Sequence, residues 1–205
     1  MTNNESYIFG LLMTDGNLSL SDRNRGKVRL ELSIKDKDII DKLVELIPNS
    51  TFSERIRTTN FHNNYHSVIF RNSTIAFRTF LIENGFPTKN KTLNATVPTD
   101  AYSEIDFWRG VIDGDGSLGI TNNNKPYISL ATKSEGLKNA YCLFLHNHFN
   151  IEKNVNRNKR DNIYNIMVIG DKAVDIAKLL YLSNDESIHL NRKYQKALEM
   201  QNYIK

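Results

Sequence analysis

The chain repeats itself, and that duplication limits its folds more than any other feature. Residues 7–18 (YIFGLLMTDGNL) match residues 107–118 (FWRGVIDGDGSL). Gly10 and Gly110, Asp15 and Asp115, and Gly16 and Gly116 each stand 100 positions apart. A second pair follows in the same order: residues 30–36 (LELSIKD) resemble 128–134 (ISLATKS), at an offset of 98. A period near 100 is too long for a solenoid repeat. The 205 residues therefore read as two copies of one small domain, at 1–86 and 101–205, joined by a linker at 87–100 that holds Pro87 and Pro98.

Periodicity gives each copy the same order of elements. Residues 5–15 are apolar and helix-compatible, ending at Asp15-Gly16. Residues 17–22 alternate. Residues 27–35 alternate strictly, with Val28, Leu30, Leu32 and Ile34 facing one way and Lys27, Arg29, Glu31, Ser33 and Lys35 the other, the pattern of a half-buried strand. A helix at 36–47, strands at 51–59 and 64–71, and a helix at 73–84 follow. The second copy reads as helix 103–115, strands 117–122 and 126–133, helix 134–148, strands 151–157 and 162–169, and helix 171–182. The facing of strand 162–169 stays ambiguous, because apolar residues fall on both sides. A last amphipathic stretch covers 188–204. The expected class is α+β, with two pseudo-twofold-related α-β-β-α-β-β-α halves.

Residues 108–116 and 8–16 resemble the nonapeptide of the LAGLIDADG homing endonucleases. The element order, the lysine after the second strand of each half and the central segment extend the resemblance over nearly the whole chain. Two such motifs, each opening an equivalent half, fit a single-chain member. Small residues let two helices approach closely, which suits Gly10 and Gly110 to a helix interface. That packing would bring Asp15 and Asp115 together at the negative ends of two helix dipoles. The arrangement is unfavourable unless a cation compensates it.

The resemblance implies that Asp15 and Asp115 are catalytic metal ligands, joined by the backbone carbonyls of Thr14 and Gly114. The cofactor implied is Mg²⁺, with Mn²⁺ as a substitute. Lys35 and Lys133 are implied to act catalytically, steadying charge on the phosphate. The first copy carries Met13 where the second has Asp113, and Asp113 is not assigned to catalysis. Ile34 and Thr132 stand before the lysines, where relatives often have Gln.

The resemblance further implies that the sheets form a saddle on double-stranded DNA. Its candidate contacts are Lys27, Arg29, Ser33, Arg55, Arg57, Tyr65 and Arg71 in the first half. In the second they are Tyr127, Ser129, Asn154, Asn156, Arg157, Lys159 and Arg160. Arg and Asn suit guanine and adenine edges, and Lys suits phosphate. Lys91 and Lys193 read as solvated surface charges, with an approach to the backbone as the alternative, and Trp108 and Tyr7 as packing groups.

The implied activity is hydrolysis of one phosphodiester per strand at a long asymmetric site, by a monomer with internal pseudo-symmetry. The alternative within this fold is a non-cleaving nucleic-acid binder, either an intron maturase with RNA as partner or a transcriptional regulator. With 27 Lys and Arg against 23 Asp and Glu, the net charge of +4 allows a nucleic-acid partner without requiring one. No apolar run approaches the ~18 residues of a membrane span, so a membrane partner is not expected. The lone Cys142 excludes an internal disulfide. The N-terminus lacks a basic, signal-like region. An intracellular setting is expected: bacterial or phage cytoplasm, or an organelle matrix.

Overall fold

The computed structural model describes residues 1–58, 64–184 and 186–203. The last residue of the expected strand 51–59 and the last of the stretch 188–204 lie outside these. The first half runs α1 (Asn3–Asp15), β1 (Gly16–Ser21), β2 (Arg25–Ser33), a 3-10 turn (Ile34–Asp36), α2 (Lys37–Leu46), β3 (Ser50–Arg57), β4 (Tyr65–Asn72) and α3 (Ile75–Glu83). Within 87–100 lies a short helix, α4 (Lys91–Asn94). The second half runs α5 (Glu104–Asp115), β5 (Gly116–Ile120), β6 (Pro126–Thr132), α6 (Glu135–Phe149), β7 (Tyr164–Ile169), α7 (Asp171–Tyr181) and α8 (Asn191–Asn202). The α+β class and the paired halves hold. No described helix is long and apolar enough to cross a membrane.

One expected element is missing. Residues 151–157 form no strand, so the second sheet has three strands in the order β5-β6-β7, against β1-β2-β4-β3 in the first. The reason lies in that segment's inward row. Ile151 and Val155 are half-buried, but Lys153 stands exposed between them, which breaks the apolar face a strand would bury. Asn154 and Asn156 add residues with poor strand preference.

The strict alternation of β2 is realised. Val28, Leu30 and Leu32 are buried beside Val68 and Phe70 of β4. Register also resolves β7: Tyr164, Ile166 and Val168 are buried, while Met167 and Ile169 face outward. Both inner faces cover the two repeated helices, and the buried apolar side chains form one continuous core across the halves.

Those helices are enclosed on every side: α1 is buried from Ser6 to Met13 and α5 from Asp106 to Asp113. A helix covered all round belongs at the centre of a molecule. Thr2 and Glu5 close a reciprocal capping box at the start of α1, satisfying amide groups that the core could not. The two helices meet backbone to backbone. A Cβ on Gly10 would drive into the Phe107 carbonyl and stand 3.1 Å from its carbon. On Gly110 it would strike the Tyr7 carbonyl and stand 2.8 Å from Leu11 N.

Gly10→Ala and Gly110→Ala therefore test the approach directly. Alanine is favoured over glycine inside a helix by about 1 kcal/mol. Each variant should nonetheless lose about 1–3 kcal/mol or more in urea denaturation, from overpacking against backbone that cannot move aside. A gain in stability would show that the helices can separate freely.

Candidate active site

Both repeated helices end in an acid. Gly16 and Gly116 follow in extended conformation, their amides closing onto Leu12 O and Ile112 O. The ends lie side by side: a Cβ on Gly114 would overlap Thr14 Oγ1 and stand 3.3 Å from Asp15 Oδ2. The carboxylates of Asp15 and Asp115 reach solvent at their outer edge and rest on the buried helix ends. Burial raises the pKa of both. The charge of Asp15 adds to the effect on Asp115, which is pushed up to about 6.

Lys91 and Lys193 are not the solvated charges expected of them. Lys91 Nζ donates to Leu12 O at 3.2 Å, to Thr14 O, and to Gly16 O at 2.5 Å. Lys193 Nζ donates to Ile112 O, to Asp113 O at 2.7 Å and to Gly116 O at 2.8 Å. Each ammonium caps one repeated helix, where carbonyls lack intrahelical partners and the dipole is negative. Lys193 is 3% exposed, and burial lowers its pKa to about 8. Burial lowers that of Lys91 as well. Both ammonium groups act electrostatically on both acids, so two carboxylates and two cations form one cluster.

Cross-ties hold the cluster. Arg192 Nε donates to Asp36 Oδ1 at 2.9 Å, linking α8 to the first half. Ser134, at the position matching Asp36, donates through Oγ to Ala95 O. The halves differ at Asp113, which is fully buried. It accepts from Tyr7 Oη and Tyr181 Oη at 2.7 Å and from Leu190 N at 2.8 Å, and burial raises its pKa. Asp113 thus anchors the start of α8 behind Lys193. In the first half, Met13 fills the matching position with an apolar side chain.

Lys35 and Lys133, expected inside strands 27–35 and 126–133, lie just past the ends of the strands that form. Lys35 is in the 3-10 turn after β2, and Lys133 directly follows β6. The strands stop at Ser33 and Thr132, whose side chains receive the Lys35 and Ser134 amides. Lys133 lines a cavity of about 210 Å³ with Thr14, Lys91, Asp115 and Thr132. Lys35 is exposed and does not line it.

The first-half DNA candidates share one surface. Register and alternation place Lys27, Arg29, Ser33, Tyr65, Arg71, Arg55 and Arg57 on the outer face of the first sheet. Arg29 and Arg57 both pair with Glu31, and Arg71 donates to Ser53 Oγ at 2.7 Å. In the second half, Tyr127 and Ser129 lie on the outer sheet face. Asn154, Asn156, Arg157, Lys159 and Arg160 lie on the irregular segment instead of a strand. There Arg157 donates to Lys133 O at 3.1 Å and Arg160 pairs with Asp161.

The donor set at the cluster is two carboxylates and the carbonyls of Thr14 and Gly114, all hard oxygens, and it fits a divalent cation. Burial is the largest cause of the raised carboxylate pKa values, and the two lysines only partly offset it. The Thr14 carbonyl is shared with Lys91. Lys193 takes the carbonyls on either side of Gly114 and not that of Gly114 itself.

Two enclosed helices ending in apposed acids, flanked by two antiparallel sheets, define a LAGLIDADG-type core. Residues 103–186 match the family model for the LAGLIDADG-like domain, and the whole chain has the two-copy fold of the LAGLIDADG homing endonucleases. The homing endonuclease I-WcaI, solved bound to its DNA recognition sequence, matches at TM-score 0.66 and 15% identity, over 94% of this chain and 85% of that one. The homing endonuclease I-LtrWI, solved on its target DNA, matches at TM-score 0.55 and 11% identity, over 98% and 89%. The N-terminal LAGLIDADG domain of DUF199/WhiA matches at TM-score 0.52 and 14% identity, over 88% and 84%. No curated protein matches by sequence.

The raised acids set a pH dependence. A carboxyl whose folded pKa exceeds its unfolded value binds more protons when folded, so stability falls as pH rises between the two values. For Asp115 that window runs from the ordinary carboxylate value of 3.8 to about 6. In chelator-treated protein, Asp115→Asn should raise the melting temperature at pH 7 and leave it nearly unchanged near pH 4. A destabilised variant at pH 7 would mean that the lysines already overcompensate the acids.

Proposed function

We propose that the chain is a site-specific endonuclease of double-stranded DNA, acting as a monomer on one phosphodiester in each strand of a long asymmetric target. The observation that carries this reading is the cluster of Asp15 and Asp115 at the apposed helix ends, each end capped by a buried lysine. A purely structural helix pair would gain nothing from two acids placed there. Asp15 and Asp115, with the carbonyls of Thr14 and Gly114, would hold divalent cations, Mg²⁺ or in its place Mn²⁺. When bound, such ions activate water and stabilise the attacking and leaving oxygens of a phosphodiester displacement.

The chain's own residues then have distinct tasks. Lys91 and Lys193 fix the helix ends and keep the acids aligned. Lys133 stands in the cavity beside Asp115, where a cation offsets charge developing on a phosphate. Lys35 is assigned the same task for the other strand. The outer face of the first sheet supplies cations to a duplex, and a two-stranded β-ribbon fits a major groove. The DNA-bound state of I-WcaI and I-LtrWI supports a duplex as partner. The biological role that follows is the spread of the element that encodes the chain.

Incubation with a randomised duplex library and Mg²⁺ should yield one long cut sequence. Asp15→Asn and Asp115→Asn should abolish cutting and keep binding. Lys91→Met and Lys193→Met should slow cutting by about 10²-fold, the cost of misplacing a reacting group by about 1 Å. A sequence that is bound but never cut under Mg²⁺ or Mn²⁺ would place the chain among the non-cleaving binders.

A further inference from the structure

The two sheets present different chemistry outward. In the second, register sets Ser129 beside Ser117 and Met167, Tyr127 beside Ile169, and Ala131 beside Asn165. These residues share the outer face, because their neighbours Leu118, Ile128, Leu130, Ile166 and Val168 are buried inward. The outer row carries no charged side chain. Met167 is 37% exposed and Ile169 50% exposed, side by side with the half-buried Tyr127. The matching face of the first sheet carries five arginines and a lysine, Arg25, Arg29, Arg55, Arg57, Arg71 and Lys27, with Glu31 among them.

The second half keeps its cations at the rim of this face. Lys125 stands exposed in the β5–β6 turn. The Lys196 stem of α8 lies along β5, its Cδ 3.9 Å from where a Cβ on Gly119 would stand. Arg157 donates to Lys133 O at 3.1 Å, just past the end of β6. Cations flanking a neutral, partly apolar strip suit a duplex: phosphates meet the rim and base edges meet the strip. Pseudo-twofold equivalence with the cationic first face points to the same occupant.

We infer that the outer face of β5, β6 and β7 reads A·T base pairs, with Met167 and Ile169 against thymine C5-methyl groups and Asn165 on an adenine edge. Apolar side chains recognise the thymine methyl in the major groove, and Asn pairs with adenine. Arginine, the usual reader of guanine, is absent from this strip and abundant on the other sheet. The target is therefore divided, with an A·T-rich half under the second sheet and a half held by arginines under the first. This rests on the proposed duplex partner and adds the composition of one half-site.

Deoxyuridine in place of thymidine removes the methyl and keeps the pairing. On the selected target, with Ca²⁺ replacing Mg²⁺, substituting each half separately should weaken wild-type binding in one half only. The expected loss is about fourfold per methyl, the equivalent of one buried methylene. The Met167→Ser/Ile169→Ser variant, altered only at exposed positions and checked for an unchanged melting temperature, should lose that uridine penalty. Tight binding and cutting with no uridine penalty, or a penalty that persists in the variant, overturns the inference and leaves the endonuclease reading intact. A wild type that dimerises through this face, with the variant monomeric, overturns it in favour of a second copy as occupant. Failure to hold any duplex removes the duplex reading and this inference together.

Discussion

The contact of α1 with α5 at Gly10 and Gly110 is the constraint on which the other features rest. With no Cβ at either position, backbone meets backbone, and each helix is enclosed from one end to the other. Enclosure leaves the two inner sheet faces to cover the helices from either side, which produces one core instead of two. It also fixes where the helices end. Because the glycines lie five residues before the acids, close approach there carries Asp15 and Asp115 to the same place.

That convergence creates an electrostatic problem, and the answer comes from outside the helices. Two carboxylates meet at two negative dipole ends, partly removed from water. The compensating ammonium groups come from α4, in the segment after the first copy, and from α8, at the end of the second. Lys91 and Lys193 reach back 75 and 77 residues to Gly16 and Gly116. Arg192 and Ser134 tie these arrangements across the pseudo-twofold axis. The lysines offset only part of the effect of burial, and both acids keep raised pKa values. Asp113 makes the halves unequal: it is a buried anchor for α8, with no counterpart where Met13 stands.

Much of this was legible in residue order. The alternation of 27–35 announced both the strand and its basic outer face, since a period of two leaves no choice of side. The duplicated apolar runs ending in Asp-Gly announced the helices and their acids. The β7 strand was different: apolar residues on both sides made its facing undecidable until pairing with β6 put Met167 and Ile169 outside. Residues 151–157 kept only part of the pattern, and Lys153 in the inward row was the warning sign. Lys91 and Lys193 carried a fainter signal. They follow Asp15 and Asp115 by 76 and 78 positions, a spacing that becomes informative only once the repeat is accepted.

By itself, then, the sequence determined the duplication, the order of elements, the glycines that permit close packing and the acids at the helix ends. Each is written in local periodicity or in the register of one copy against the other. Tertiary structure alone decided which lysines enter the cluster, that Asp113 is a buried anchor, and that the second sheet faces outward with methionine and isoleucine. These depend on contacts between residues far apart in the chain and on strand register. No local pattern distinguishes a lysine that reaches a helix end 75 residues away from one that stays in water.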